Sequence, residues 1–115
     1  MKMTSLKSLL ALLTLCAVPA IAAAATYDNV AVVDVNCSQK AAANPDAHTR
    51  DCALKCAASG FGIVTKDQQF LKFDAAGNAK IIAALKASDK KDHLRVDVEG
   101  ELQGDTLKVS SVKLL

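Results

Sequence analysis

The clearest hydrophobic pattern lies late in the chain, where Leu94, Val96 and Val98 alternate with Arg95, Asp97 and Glu99. A period of two predicts a strand with one face in water, so Arg95, Asp97 and Glu99 read as a solvated surface. After a turn within Gly100–Asp105, Thr106 to Leu115 returns with Leu107 and Val109 inward, then Val112 and Leu114. The inward register slips by one at Ser110-Ser111, which predicts a bulge there. Upstream, Tyr27 to Cys37 carries Val30, Val32 and Val35 without Pro or Gly and reads as the first strand. Phe61–Thr65 and Gln69–Phe73 are apolar runs joined by Lys66-Asp67-Gln68, a hairpin pattern.

Two stretches change period. Asn44 offers an N-cap, Pro45 suits the first helical position, Asp46 places an acid in the first turn and Gly60 supplies a stop. These signals predict one helix over Pro45–Ser59, with Ser38–Ala43 a connector before it. Asp74–Asn78 breaks the chain, and Ala79–Ala87 then places Ile81, Ile82 and Leu85 at helical spacing. Ser88–Asp92 reads as a charged loop.

Strand, helix, strand, strand, helix, strand, strand is an α+β order. It fits a small five-stranded OB-like β-barrel with an inserted cysteine-bearing helix and a second short helix. The closing segment, Leu94–Gly100 followed by Asp105–Val112, resembles the final hairpin of bacterial exported OB-fold domains. The front, Asp34-x-x-Cys37 with Asn44-Pro45-x-Ala47-His48-Thr49-x-x-Cys52-x-x-x-Cys56, is similar to that of small exported bacterial proteins of uncharacterised function. Together the two likenesses span most of residues 30–113.

The N-terminus changes the charge reading. Lys2 and Lys7 precede an apolar run over Leu9–Val18, and Ala22 to Ala25 offer small residues before Thr26. That is the plan of a secretory signal peptide over residues 1–25, leaving a single domain over 26–115 in the periplasm or outside the cell. Without Lys2 and Lys7, the 12 acidic side chains are balanced by an equal number of basic ones, so the formal charge of +2 disappears. A balanced chain with one Tyr, three Phe and no Trp lacks the basic groove and stacking platforms of a nucleic-acid binder. The apolar run is also too short to span a bilayer, which takes about 20 residues.

Cys16 falls inside the leader, and Leu15 before it does not suit a lipid-anchor site. Cys37, Cys52 and Cys56 remain, an odd number in an oxidising compartment. On a continuous helix His48, Cys52 and Cys56, spaced i, i+4, i+8, share one stripe, and Cys37 can fold back onto it. Four such ligands satisfy tetrahedral zinc, while thiolates with imidazole also suit Cu(I). The expectation is therefore an exported protein binding a soft metal ion, Zn or Cu, through Cys37, His48, Cys52 and Cys56.

The alternative is a disulfide-stapled interaction module with no metal. Its bridge is Cys37–Cys52, favoured because Cys52 is one turn nearer the strand end than Cys56, with Cys56 the other candidate partner. Closing a loop of roughly 15–19 residues contributes about 3 kcal/mol. The spare thiol could then link two chains. His93 beside Asp92 reads as a structural histidine. With no Gly-rich phosphate loop, nucleophile elbow or His-Glu-x-x-His run, no catalytic set is assembled and an enzyme is not expected.

Overall fold

Strand β1 (Ala23–Asp34) opens the part of the chain that the computed structural model describes, residues 23–115. The expected leader, including Cys16, lies outside the described residues apart from Ala23–Ala25. Those three pair with Leu102–Gly100 of β4 (Arg95–Gln103), while the far half of β1, Ala31–Asp34, pairs with β2 (Phe61–Val64). One strand can serve both neighbours because its register shifts between Tyr27 and Val30. Asn29 adopts a positive φ of 51° there and donates its N–H to Asp97 Oδ1 at 2.9 Å.

Strand β3 (Phe70–Phe73) pairs antiparallel with β2 and parallel with β5 (Thr106–Leu114), and β5 pairs with β4. The strands close a barrel in the order β1-β2-β3-β5-β4, the OB-like architecture expected from the sequence. The bulge also falls where the pattern slips: Glu99 pairs with Ser111 and Gly100 with Val109, leaving Ser110 as the extra residue, its hydroxyl donating to Glu99 O at 3.1 Å. Alternation continues past Gly100, so β4 runs to Gln103, and the reversal is made by Gly104 (φ 65°) and Asp105.

Three helices accompany the strands: α1 (Ser38–Ala41), α2 (Arg50–Lys55) and α3 (Ala75–Lys86). Helix α3 starts four residues before the predicted Ala79. Asp74 caps it, accepting from Gly77 N–H at 3.0 Å, and the same carboxylate oxygen accepts from Val109 N–H at 3.2 Å. Gly77 reads as a breaker in sequence, yet it is where the helix meets the barrel. A Cβ there would lie 2.5 Å from Val109 Cγ2. Ile81 and Leu85, both fully buried, pack with Val32, Phe61, Ile63, Val96, Val98 and Leu107 into one core.

The predicted continuous helix over Pro45–Ser59 does not form. It is divided into a 3₁₀ turn at Pro45–Ala47, the six-residue α2 and another 3₁₀ turn at Ala57–Ser59. An unbroken helix would need Arg50 N–H to bond the carbonyl of Asp46. Instead His93 N–H donates to Asp46 O at 3.0 Å, and Arg50 N–H donates to Lys91 O at 2.8 Å. The segment before β4 thus takes both partners. His48 becomes extended (φ −70°, ψ 124°), and Thr49, whose hydroxyl accepts from Cys52 N–H at 3.2 Å, caps a new helix.

Arg95 is likewise not the solvated residue its alternation suggests. Its guanidinium grips Asp46 with two hydrogen bonds of 3.0 and 2.9 Å and donates a third to Asn29 O at 2.9 Å. Arg50 reaches the end of α3, donating to Leu85 O at 3.2 Å and to Ser88 O. The segment between β1 and β2 is therefore pinned to the barrel by polar contacts.

Candidate functional site

The site forms where β1 hands over to that segment. Val30 to Val33 are buried because β1 runs between β2 and β4, and Asp34 continues the strand into the same dry environment with no exposed surface. A buried carboxylate needs partners. Asp34 Oδ2 accepts from Cys37 N–H at 3.0 Å, capping a 3₁₀ turn at Val35–Cys37, and Oδ1 meets His48 Nε2 at 2.5 Å. That cap is why β1 stops at Asp34 rather than at the predicted Cys37. The His48 side chain is 9% exposed.

Ligand atoms of Asp34, Cys37 and His48 lie within 4.8 Å of one another. They come from the strand end, the turn after it and the extended residue between Ala47 and Thr49. Of the four ligands expected from the sequence, Cys37 and His48 are brought together. Cys52 and Cys56 stand outside this group, and the common stripe of His48, Cys52 and Cys56 is lost because His48 is not helical. Cys52 is exposed on α2. Cys56, half-buried at the end of α2, is instead a neighbour of Cys37, near enough to add to the upward push on that thiol.

Among the described residues Cys37, Cys52 and Cys56 are free thiols, so the expected Cys37–Cys52 bridge is not formed. The thiol that meets Cys37 is Cys56, because Val35 N–H donates to Gly60 O at 2.9 Å and Asn36 N–H to Ser59 Oγ at 3.2 Å. These bonds draw the end of the inserted segment alongside the turn after β1. Asn36 Nδ2 donates to Cys56 Sγ at 3.6 Å, and Ser59 Oγ donates to Cys56 O at 2.8 Å.

Burial pushes the Cys37 thiol above its ordinary range, and the charge and hydrogen bonding of Asp34 add to this, followed by Cys56. A raised value is the opposite of what an attacking thiolate uses. The order of groups differs from a nucleophilic triad as well. In a triad the imidazole stands between nucleophile and carboxylate, whereas here Asp34 is the common partner of Cys37 and His48. Three different donors converge on one point, an arrangement able to hold a cation or to share a proton.

Asp34 is the site residue that sequence reasoning did not select. Two signals bore on it: a single acid ending the run Val30-Ala31-Val32-Val33, and the three-residue spacing to Cys37 that suits a side-chain cap. Among the described residues no helix is long and apolar enough to cross a membrane. Comparison of the chain with models of protein families, with curated proteins and with solved structures finds no significant match.

Proposed function

We propose that the chain is a small exported protein that binds zinc through Asp34, Cys37 and His48. The observation that carries this reading is the convergence of a fully buried carboxylate, an imidazole and a thiol within 4.8 Å. Zinc accepts oxygen, nitrogen and sulfur donors, with bonds of about 2.0–2.3 Å that place its ligand atoms roughly 3.5 Å apart. Small side-chain adjustments reach that spacing. The carboxylate moves the preference away from Cu(I), which the all-thiolate and imidazole set read from the sequence would have favoured more. Three protein ligands leave a fourth position for water or an external ligand.

Export rests on the leader pattern in residues 1–25 and on the resemblance of the front motif to exported proteins. Ala23–Ala25 are exposed or half-buried, so cleavage after Ala25 would spare the buried run Val30–Asp34. The intact mass of the exported form should correspond to a chain starting near Thr26; retention of Met1–Ala25 would contradict export by this route.

Equilibrium dialysis of the reduced chain against Zn²⁺ tests the site, with Co²⁺ as a coloured replacement. One equivalent of metal is expected, with a thiolate-to-cobalt charge-transfer band that Cys37→Ser removes and Cys52→Ser keeps. A reduced chain that takes up neither ion, or a band that survives Cys37→Ser, would overturn the reading.

A further inference from the structure

We infer that Cys37 and Cys56 form a reversible disulfide that withdraws Cys37 from Asp34 and His48, so that the chain releases its metal when its thiols are oxidised. This rests on the zinc reading for its consequence, though the bridge itself does not. The hydrogen bonds of Val35 N–H to Gly60 O and of Asn36 N–H to Ser59 Oγ hold the turn that carries Cys37 alongside the segment that follows Cys56, which makes the two thiols neighbours. Cys56 lies outside the Asp34–Cys37–His48 group, so its thiol is uncommitted, and the Asn36 amide directed at its sulfur holds it in place. A surface hollow lined by Val35, Asn36, Ser38, Lys40 and Ser59 opens beside the pair. Lys40 gives it a positive charge suited to an anionic disulfide.

The oxidant is a low-molecular-weight disulfide, RSSR. The Cys56 thiolate attacks one sulfur of RSSR, forming a mixed disulfide and expelling RS⁻. The released RS⁻ takes the Cys37 proton, and Cys37 Sγ then attacks Cys56 Sγ, forming the Sγ–Sγ bond and expelling the second RS⁻. Two protein thiols lose two electrons and two protons, RSSR gains them, and two RSH leave. Once bridged, Cys37 Sγ has no thiolate charge to give a metal, and Asp34 and His48 alone make a two-ligand set. Cys52, exposed on α2 and outside the pair, becomes the odd thiol and the candidate for linking two chains.

The reduced full chain, treated with glutathione disulfide, quenched in acid, alkylated and mapped by peptide mass, should show Cys37 bridged to Cys56 and Cys52 outside the bridge. Zinc affinity of the bridged chain should fall by more than about tenfold, since loss of even an outer-shell partner costs at least that much, and should return on reduction. Cys56→Ser, which cannot form the bridge, should bind zinc like the parent and keep its affinity through the same treatment. A bridge that includes Cys52, no bridge at all, or unchanged zinc affinity in the bridged chain would overturn the inference. A bridge between Cys37 and Cys56 in a chain that binds no zinc when reduced would instead sink the zinc reading and leave the redox pair standing.

Discussion

The barrel and the segment between β1 and β2 are built on different terms. In the barrel and the helix α3 packed on it, Val32, Ile63, Ile81, Leu85, Val96, Val98 and Leu107 are fully removed from water, and the strands of the closed barrel bond to neighbours on both sides. Between Val35 and Gly60 only Ala41 and Ala53 are buried apolar side chains. Two alanines contribute little hydrophobic stabilisation at about 25 cal/mol per Å². What holds this segment is polar: Asp34 to His48, Asp46 to Arg95, Arg50 to the end of α3, and the two backbone bonds to Lys91 and His93. Directional contacts of this kind place donors accurately but give way singly. Among the described residues, the one group of mixed metal-binding donors sits at the seam between the two regions, with the strand end supplying Asp34 and the looser segment supplying Cys37 and His48.

Changes to the barrel should therefore cost the most. Leu85→Ala, at a fully buried position under the barrel, should lower the free energy of unfolding by about 3 kcal/mol. Denaturant unfolding measures this, and a loss under about 1 kcal/mol would mean that the core is not the main reservoir of stability. Closing Cys37 to Cys56 should work in the opposite direction, stabilising the chain by about 3 kcal/mol in the chain-entropy estimate, because it ties the far end of the loose segment to β1. Unfolding curves of bridged and reduced samples compare the two directly. Asp34→Ala comes next: it strands His48 and the Cys37 N–H, at about 2 kcal/mol, and abolishes zinc uptake. Asp34→Asn, which keeps an acceptor for the cap, should recover part of the stability without recovering the metal.

The same contrast decides what could be read in the sequence. The β4 alternation, the Ser110 slip and the β2–β3 hairpin were legible because inward-facing side chains repeat at a fixed spacing and the core enforces it. The break at His48 was not, since the local signals of Asn44, Pro45 and Asp46 do favour a helix. It is broken by Lys91 and His93, more than 40 residues away, which take the two groups that the helix would have joined. Gly77 misled for a similar reason: a helix breaker by propensity, it is needed where α3 lies against Val109. Cys37 and His48 were legible as ligand types, but Asp34 joins them only because the fold buries it at the end of β1, beside β2, where Cys37 N–H and His48 are its partners.

Asp46 tests the polar pinning by pH. Its hydrogen bonds from Arg95 hold its carboxyl below the usual aspartate range, partly offset by burial, with the charges of Arg95 and His93 adding to the lowering. A carboxyl lowered in the fold binds its proton more weakly there than in the unfolded chain. Its stabilisation is therefore complete above the unfolded value, near pH 4, and disappears as pH falls through the folded value. Asp46→Asn should cost about 1 kcal/mol at neutral pH, given that both partners remain about a third exposed. The difference from the parent should shrink as pH falls below about 4. A gap that stays constant down to pH 2 would show that the ion pair is not what Asp46 contributes.

The smallest expected effect is the sharpest on the site. Cys52 belongs to the ligand stripe read from the sequence, but in the fold its side chain is exposed on α2, and the interaction nearby that shapes the helix start is its backbone N–H on Thr49 Oγ1. Serine at 52 keeps that N–H and removes only the sulfur. Cys52→Ser should therefore change unfolding free energy by less than about 0.5 kcal/mol, as exposed substitutions do, and leave zinc affinity as it was. It should also abolish any disulfide-linked dimer seen on non-reducing gels. A Cys52→Ser chain that loses zinc would restore Cys52 to the ligand set and place the metal on α2, away from Asp34.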